Sequence, residues 1–315
     1  ISSKRNRWFL AVLTGAALVT TNIWCYDTLL ANNAAFEAVR ASSIGDVTGS
    51  KEDLEAAIAL LTPNVAIMSA GLLGSQVVHE LGHAFVAWKD KFKISAPTLF
   101  PFTNVPFLGA STDLRTSPPN LKSLFDFAYT GPALGYLTSL ACLLYGLQLT
   151  ATSGALGIDS ATFPILSLDF LRQSTLIGGI VDMGLGSNVI VGQVPDASEF
   201  TVSLHPLAVA GYLGMMINAV TLLPVGHSDG GRIAMSIGGR NGLITFQSIT
   251  FLIIFFAGLF GPDFSIFLGY GIVSAFFLRD IEIPMRNEID DLDNGRAFLG
   301  IVTWFIVALT LIPMS

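Results

Sequence analysis

Residues 75–88 read SQVVHELGHAFVAW and place two histidines and a glutamate inside an apolar run. His79 and His83 are four residues apart, so on an α-helix they project from the same face and can both reach one cation. Glu80 lies beside the first histidine, where a general base must be to take a proton from an attacking water. The pentapeptide HELGH therefore predicts a helix that carries two metal ligands and a catalytic carboxylate, and zinc is the favoured metal.

The composition around this stretch is typical of a membrane protein. Of 315 residues, 52% are hydrophobic and only 12% are charged, which is too little charge to solvate a soluble surface of this size. The formal net charge is −7 and no basic cluster is interleaved with aromatic residues, so a nucleic-acid partner is excluded. Cys25 and Cys142 both lie in apolar stretches and are expected to pack, not to form a disulfide framework.

A helix that spans a membrane needs about 20 predominantly apolar residues. Segments that meet or approach this length cover residues 8–26, 65–88, 124–147, 204–225, 243–261, 264–278 and 298–312. The sequence therefore predicts an all-α polytopic membrane protein with about seven transmembrane helices.

Two other segments predict different structures. Residues 94–120 mix prolines, aromatics and threonines without a helical period, which favours a short membrane-associated hairpin or loop. An apolar patch at 163–190 contains Arg172 and Asp182, and it either crosses the membrane or forms a re-entrant segment. The sequence leaves both alternatives open.

The distribution of basic residues predicts the depth of the polar positions. Short loops on the side that is not translocated collect lysine and arginine. If the 163–190 patch does not cross, most of the 16 basic residues fall on one side, including the group at 89–93 and Arg232. The helix with His79 and His83 ends at this side, and so does the span that precedes Asp229. The predicted topology thus brings Asp229 to a depth similar to that of the histidines.

Asp229 is the predicted third ligand, because a catalytic zinc usually has three protein ligands. It is the only carboxylate in the second polar island, NAVTLLPVGHSDGGRI at 218–233, and it would offset the charge of the metal. The alternative is that Asp229 only caps a turn, as Asp-Gly-Gly often does. Pro224, Gly226, Gly230 and Gly231 predict a break in the helix around it, and irregular backbone at membrane depth indicates a cavity.

The two islands together resemble the site-2 protease family of intramembrane zinc metalloproteases. These proteins carry His-Glu-x-x-His on one membrane helix and Asn-x-x-Pro-x-x-x-x-Asp-Gly on a later one. HELGH matches the first motif in full, and TLLPVGHSDG matches the second at Pro224, Asp229 and Gly230. The stretches ISAPTLFPF, FDFAYTGPALG and HPLAVAGYLGMMINAVTLLPVGHSDGGR resemble the plastid branch, the ethylene-dependent gravitropism-deficient and yellow-green-like (EGY) proteases, from about residue 64 to the end.

The resemblance implies a function for the site. It implies that His79, His83 and Asp229 bind zinc and that Glu80 is the catalytic residue. It also implies hydrolysis of peptide bonds in or near transmembrane segments of membrane protein substrates, in the lipid bilayer of a thylakoid or other plastid membrane. On this basis residues 1–63 are an N-terminal transmembrane helix with a polar linker, and residues 64–315 are an intramembrane metalloprotease domain.

The sequence departs from the family motif at two positions. Thr221 stands where the family has asparagine, and Ser228 stands where a leucine is common. Asn218, three residues earlier on nearly the same helix face, is a candidate to replace the missing amide. Asn218, Thr221, Pro224 and His227 are candidates for binding substrate or holding the ligands, although His227 also fits an alternative ligand or a solvent-facing loop residue. The departures predict altered specificity or rate.

Two other classes of protein compete with the protease. A catalytically weak or inactive metal-binding scaffold or chaperone explains the histidines and the aspartate but gives no reason for Glu80. A metal transporter would show an internal repeat and polar residues along several spans, and the sequence shows neither.

Overall fold

The computed structural model describes residues 4–32, 36–37, 51–102, 105–156, 162–186, 190, 200–260 and 264–314. The helices are α1 (Lys4–Leu30), α2 (Lys51–Lys89), α3 (Leu121–Leu156), α4 (Leu168–Leu171), α5 (Thr175–Leu185), α6 (Pro206–Thr221), α7 (Asp229–Phe260), α8 (Phe264–Val273) followed by a π-helix (Ser274–Leu278), and α9 (Asn294–Leu311). The strands are β1 (Thr98–Pro101), β2 (Phe107–Ser111), β3 (Ile165–Ser167) and β4 (Thr201–Ser203). The fold is therefore mainly helical, as the sequence predicts.

Within the described residues, five helices are long and apolar enough to cross a membrane: Trp8–Leu30, Ile58–Lys89, Leu121–Ser153, Asp229–Leu259 and Asn294–Leu311. The predicted spans at 204–225 and 264–278 form helices that are shorter. α6 has 16 residues, which is about 24 Å of helix against a hydrocarbon core of about 30 Å. The predicted span at 243–261 begins earlier than expected, because its helix α7 begins at Asp229 and is interrupted at Gly239, where φ is 64°.

The predicted hairpin in the 94–120 segment is confirmed. β1 and β2 pair antiparallel, with Thr98 opposite Ser111 and Leu99 opposite Ala110, and the register shifts between Leu99 and Pro101. Proline has no N–H to give to a strand ladder, which accounts for an irregularity at this point. The hairpin leaves β2 with one edge that β1 does not cover.

The 163–190 segment is not one long helix. β3 pairs antiparallel with β4, and α4 and α5 follow β3 directly. α5 has 11 residues, about 16 Å of helix, so it cannot cross a bilayer as a straight helix. Residues 187–189 of the predicted patch lie outside the described part of the chain.

The chain forms two compact units. Unit 1 comprises Ile1–Thr20, Ser75–Leu137 and Met216–Ala308, and unit 2 comprises Thr21–Gly74, Thr138–Met215 and Leu309–Ser315. HELGH and the second polar island at 218–233 both lie in unit 1. Its buried core includes Val86, Phe92, Leu114, Leu124, Phe127, Met235 and Met285. In unit 2, a side chain at Gly211 would strike the backbone of Leu143, so the backbones of α3 and α6 meet there without intervening side chains.

The turn between α6 and α7 places Asp229 at a helix N-terminus. The predicted break is confirmed before Asp229, where Gly226 has φ of 45° and a side chain on it would strike the carbonyl of Leu278. It is wrong for Gly230 and Gly231, which lie inside the first turn of α7. The helix begins earlier because the Ser228 hydroxyl accepts a hydrogen bond from the Gly231 N–H at 3.1 Å and caps the helix.

Candidate metal centre

Three of the predicted ligands meet in unit 1. His79 and His83 lie one turn apart on α2, are fully buried, and have their Nε2 atoms 2.9 Å apart. Asp229 places one carboxylate oxygen 3.3 Å from His79 Nε2 and the other 3.4 Å from His83 Nε2. The structure thus brings Asp229, far away in sequence, to the two histidines of HELGH.

The hydrogen bonds of the two imidazoles fix where their protons are. His79 Nδ1 lies 2.8 Å from Asn218 Oδ1, and His83 Nδ1 lies 2.9 Å from the backbone oxygen of Phe127. Both partners are acceptors, so each Nδ1 donates, and in the neutral imidazole each Nε2 is the nitrogen that presents a lone pair. This is the tautomer and orientation that metal-binding histidines adopt.

The spacing of the donor atoms fits zinc. Tetrahedral nitrogen or oxygen ligands about 2.0–2.1 Å from zinc lie about 3.3 Å apart. The two nitrogen-to-oxygen separations, 3.3 and 3.4 Å, agree with this value and run to the two different oxygens of Asp229, whereas the 2.9 Å between the two Nε2 atoms is shorter. A bound cation would also offset the charge of the buried Asp229 carboxylate.

Glu80 is held by only one of its two oxygens. Oε2 accepts a hydrogen bond of 2.6 Å from the hydroxyl of Thr112, the residue after β2. Oε1 is buried and has no hydrogen-bond partner among the described residues. The ligand atoms of His79, Glu80 and His83 lie within 4.8 Å of one another. The carboxylate is therefore oriented and still has an oxygen available to accept a proton.

Glycines allow α2 and α3 to approach at the site. A side chain on Gly82, inside HELGH, would lie 2.9 Å from the Cα of Gly131. A side chain on Gly131 would strike the ring of His83, and one on Gly135 would strike the amide of Asn218. Only glycine therefore fits at these positions, as at other helix contacts built from small residues four apart.

The remaining predicted residues have different positions. Asn218 contacts His79, and the Thr221 hydroxyl donates to the backbone oxygen of Asn218 at 2.9 Å. Pro224 lies in the turn before α7. His227 is not brought to the two histidines of α2, because its Nε2 lies 3.6 Å from a carboxylate oxygen of Asp113 and its Nδ1 lies 3.4 Å from the backbone oxygen of Asp280.

Sequence reasoning missed three residues of the site. Arg232, expected in a basic loop, lies in α7 and is 1% exposed. Its guanidinium contacts Asp229, Glu282 and the backbone oxygen of Thr112. The spacing of three between Asp229 and Arg232 is the one local signal, because it places both on one helix face. Glu282 and Thr112 belong to segments that only the fold brings here.

A cleft opens beside Asp229. It is lined by β2, the α6–α7 turn and the helix pair α8–π: Phe100, Leu108, Gly109, Ala110, Ser111, Thr221, His227, Ser228, Asp229, Arg232, Tyr270, Val273 and Leu278. About half of these residues are polar or charged, and the polar ones lie mainly in and after the α6–α7 turn.

The fold and the site define a polytopic membrane protein with a metallopeptidase-type centre. Residues 67–260, more than half of the sequence, match the Peptidase family M50, and the chain belongs to this family. The predicted resemblance to site-2 proteases of the EGY branch is confirmed by the curated relatives.

The chain resembles plant proteins along most of its own length. It is 30% identical over 269 residues to the probable zinc metalloprotease EGY1, chloroplastic, of Oryza sativa subsp. japonica, covering 85% of this chain and 44% of the relative. It is 31% identical over 254 residues to the probable zinc metallopeptidase EGY3, chloroplastic, of Arabidopsis thaliana, covering 80% of this chain and 43% of the relative. The chain thus spans less than half the length of these relatives. No solved structure matches it.

Proposed function

We propose that this chain is the membrane-embedded part of a zinc metalloprotease that hydrolyses peptide bonds in or near transmembrane segments of membrane proteins. The observation that carries the proposal is the convergence of two imidazole lone pairs and the Asp229 carboxylate beside Glu80. The family and the printed names of its relatives, zinc metalloproteases and a metallopeptidase, support it.

The residues take distinct roles in this reaction. His79, His83 and Asp229 would hold zinc, which when bound supplies a Lewis acid for the scissile carbonyl and for the attacking water. Glu80 takes the proton of that water on Oε1 and later delivers it to the leaving nitrogen. Thr112 keeps Glu80 oriented through Oε2. Asn218 keeps Nε2 of His79 unprotonated by accepting the hydrogen bond of Nδ1. The side-chain oxygen of Asn218 therefore binds a metal ligand and not the substrate.

In the proposed topology, two further helices join the five long ones, which gives the predicted seven transmembrane spans. α6 and α8 with the π-helix would supply the other two, with the short α6 ending at the cleft where irregular backbone is tolerated. Residues 64–315 form the protease part and residues 1–63 precede it. Because the relatives are chloroplastic, we propose the lipid bilayer of a plastid, specifically the thylakoid, as its location.

The competing function is a catalytically weak or inactive scaffold of the same family. It requires metal ligands but gives no reason for the buried Oε1 of Glu80, which has no hydrogen-bond partner in the part of the chain that the structure describes. Thr221 in place of the family asparagine alters how the cleft holds a substrate, while the ligands and the base are all present. The protease is therefore the better supported proposal.

Removal of metal tests the proposal directly. In purified full-length protein in lipid, with a labelled transmembrane substrate, a chelator is expected to abolish cleavage because the scissile carbonyl loses its Lewis acid. Stoichiometric zinc is expected to restore it. Product formation is measured by gel and mass spectrometry. Cleavage that persists in protein shown to be free of metal would contradict the proposal.

The free edge of β2 is the proposed site for the unwound substrate, because β2 lines the cleft beside Asp229. An extended peptide can pair with such an edge. In a strand, the N–H groups of successive residues point to opposite edges. Only one of the two variants Ala110→Pro and Ser111→Pro therefore removes an N–H donor from the edge that β1 does not cover. We expect the variant that loses this donor to raise KM about 2- to 10-fold, which corresponds to the free energy of one hydrogen bond. Ala110→Ser and Ser111→Ala are the controls, and equal KM values in all four variants would refute the idea.

A further inference from the structure

We infer that Arg232 is a positioning residue that ties the third metal ligand and the support of the general base to the segment 279–293. The inference rests on the proposed function and concerns residues to which the sequence motifs assign no role. It predicts that the geometry of the metal centre depends on a guanidinium that does not itself bind the metal.

The three nitrogens of the Arg232 guanidinium contact three different segments. Nε donates to Glu282 Oε2 at 2.7 Å, and Nη2 donates to the backbone oxygen of Thr112 at 2.8 Å. Nη1 donates to Asp229 Oδ1 at 3.4 Å, and the guanidinium carbon lies 5.2 Å from the centre of the Phe127 ring. Three of these neighbours, Asp229, Thr112 and Phe127, belong to the metal centre or hold a residue of it.

These contacts lead to the proposed ligands and the base. Asp229 is itself a proposed ligand. The hydroxyl of Thr112 holds Glu80, and the backbone oxygen of Phe127 fixes the tautomer of His83. Arg232 therefore acts on the base through Thr112 and on the ligand Asp229 directly. Glu282 anchors the opposite side of the guanidinium.

Arginine suits this position because its planar fork offers donors in fixed directions. A lysine ammonium keeps the charge but has a single nitrogen, which cannot occupy three donor positions at once. Loss of the fork would release Asp229 and Thr112 without changing the charge of the site. Charge and geometry can thus be separated by substitution.

A second pair between the same two segments provides the matched control. Arg240 lies further along α7 and donates to Glu288 at 2.8 Å, but the two side chains are 37% and 32% exposed. Arg240 Nη1 also donates to the backbone oxygen of Glu282 at 3.4 Å, but among the described residues its side chain makes no hydrogen bond to His79, His83 or Asp229. The bond with Arg240 lowers the pKa of Glu288 below its ordinary value. If Arg232 only joined two segments, both pairs would respond alike to substitution.

The test compares Arg232→Lys with Arg240→Lys in the full-length protein in lipid. The zinc dissociation constant is measured by competition with a chelating dye, and kcat and KM are measured with a labelled transmembrane substrate. Loss of a group that holds a metal ligand costs about 10- to 100-fold in affinity or activity. We expect Arg232→Lys to raise the zinc dissociation constant and to lower kcat by such a factor, and Arg240→Lys to match wild type in both.

A second variant covers the case in which Arg232→Lys does not fold. Arg232→Gln combined with Glu282→Gln removes both buried charges together, so no carboxylate of this pair is left unpaired and the net charge stays constant. It is expected to bind zinc as weakly as Arg232→Lys. Wild-type zinc affinity in either folded variant would overturn the inference. Absence of zinc binding in the wild type would instead overturn the proposed function.

Discussion

We expect Glu80→Gln to lower peptide cleavage about 100- to 10,000-fold, the contribution typical of general acid–base catalysis, while zinc stays bound. Glutamine has nearly the same shape, and its amide oxygen can still accept the hydrogen bond from Thr112 that now holds Oε2. It cannot take a proton from water. The variant therefore removes the base and leaves the proposed ligands in place.

The measurement is single-turnover cleavage of a labelled transmembrane substrate together with elemental analysis of zinc. Glu288→Gln is the matched control, because this carboxylate pairs with Arg240 outside the metal centre. Turnover equal to that of wild type would remove the protease claim. Zinc lost together with activity would show that the substitution acts on the metal and not on proton transfer.

Asp229→Asn is expected to have the largest effect on the metal itself. Asparagine keeps the size of the side chain but loses the charge that offsets zinc, and an amide is a weaker ligand than a carboxylate. Loss of a group that only holds a ligand in place costs up to roughly 100-fold in metal affinity. Because Asp229 is itself a proposed ligand, we expect the zinc dissociation constant to rise by more than this. Cleavage should fall accordingly at limiting zinc.

Competition with a chelating dye measures the affinity of this variant. Asp169→Asn is the control, because Asp169 lies on α4 in unit 2 and its side chain is exposed. It should leave zinc affinity unchanged. If Asp229→Asn bound zinc as tightly as wild type, the third ligand would have to be another group, and the capping role considered for Asp229 would be its main one.

Local patterns predicted the parts of the site that depend on short spacing. HELGH predicts a helix with two ligands on one face because four residues make about one turn. The hairpin follows from prolines and aromatics without a helical period. Asp229 could be predicted because it is the one carboxylate in a polar island, and because its depth follows from the distribution of basic residues.

The rest depends on contacts between distant segments. No local sequence pattern predicts Thr112 or Glu282 as site residues, since each lies in an irregular stretch among other polar residues. Arg232 was misplaced because a basic residue near a predicted helix end usually lies in a loop, whereas here Ser228 starts the helix first and buries it. The length of α6 could not be predicted either. The turn that follows α6 packs at Gly226 against the backbone of Leu278, and apolar composition does not reveal this contact.

The separation of the proposed ligands along the chain affects when the centre can form during synthesis. A ribosome delivers the chain from its N-terminus at about 5–20 residues per second, so α2 with His79 and His83 is made well before Asp229. Glu282, which anchors Arg232, is made later still. Until Asp229 has been made, the emerging chain therefore carries only two of the three proposed ligands and cannot form the complete centre.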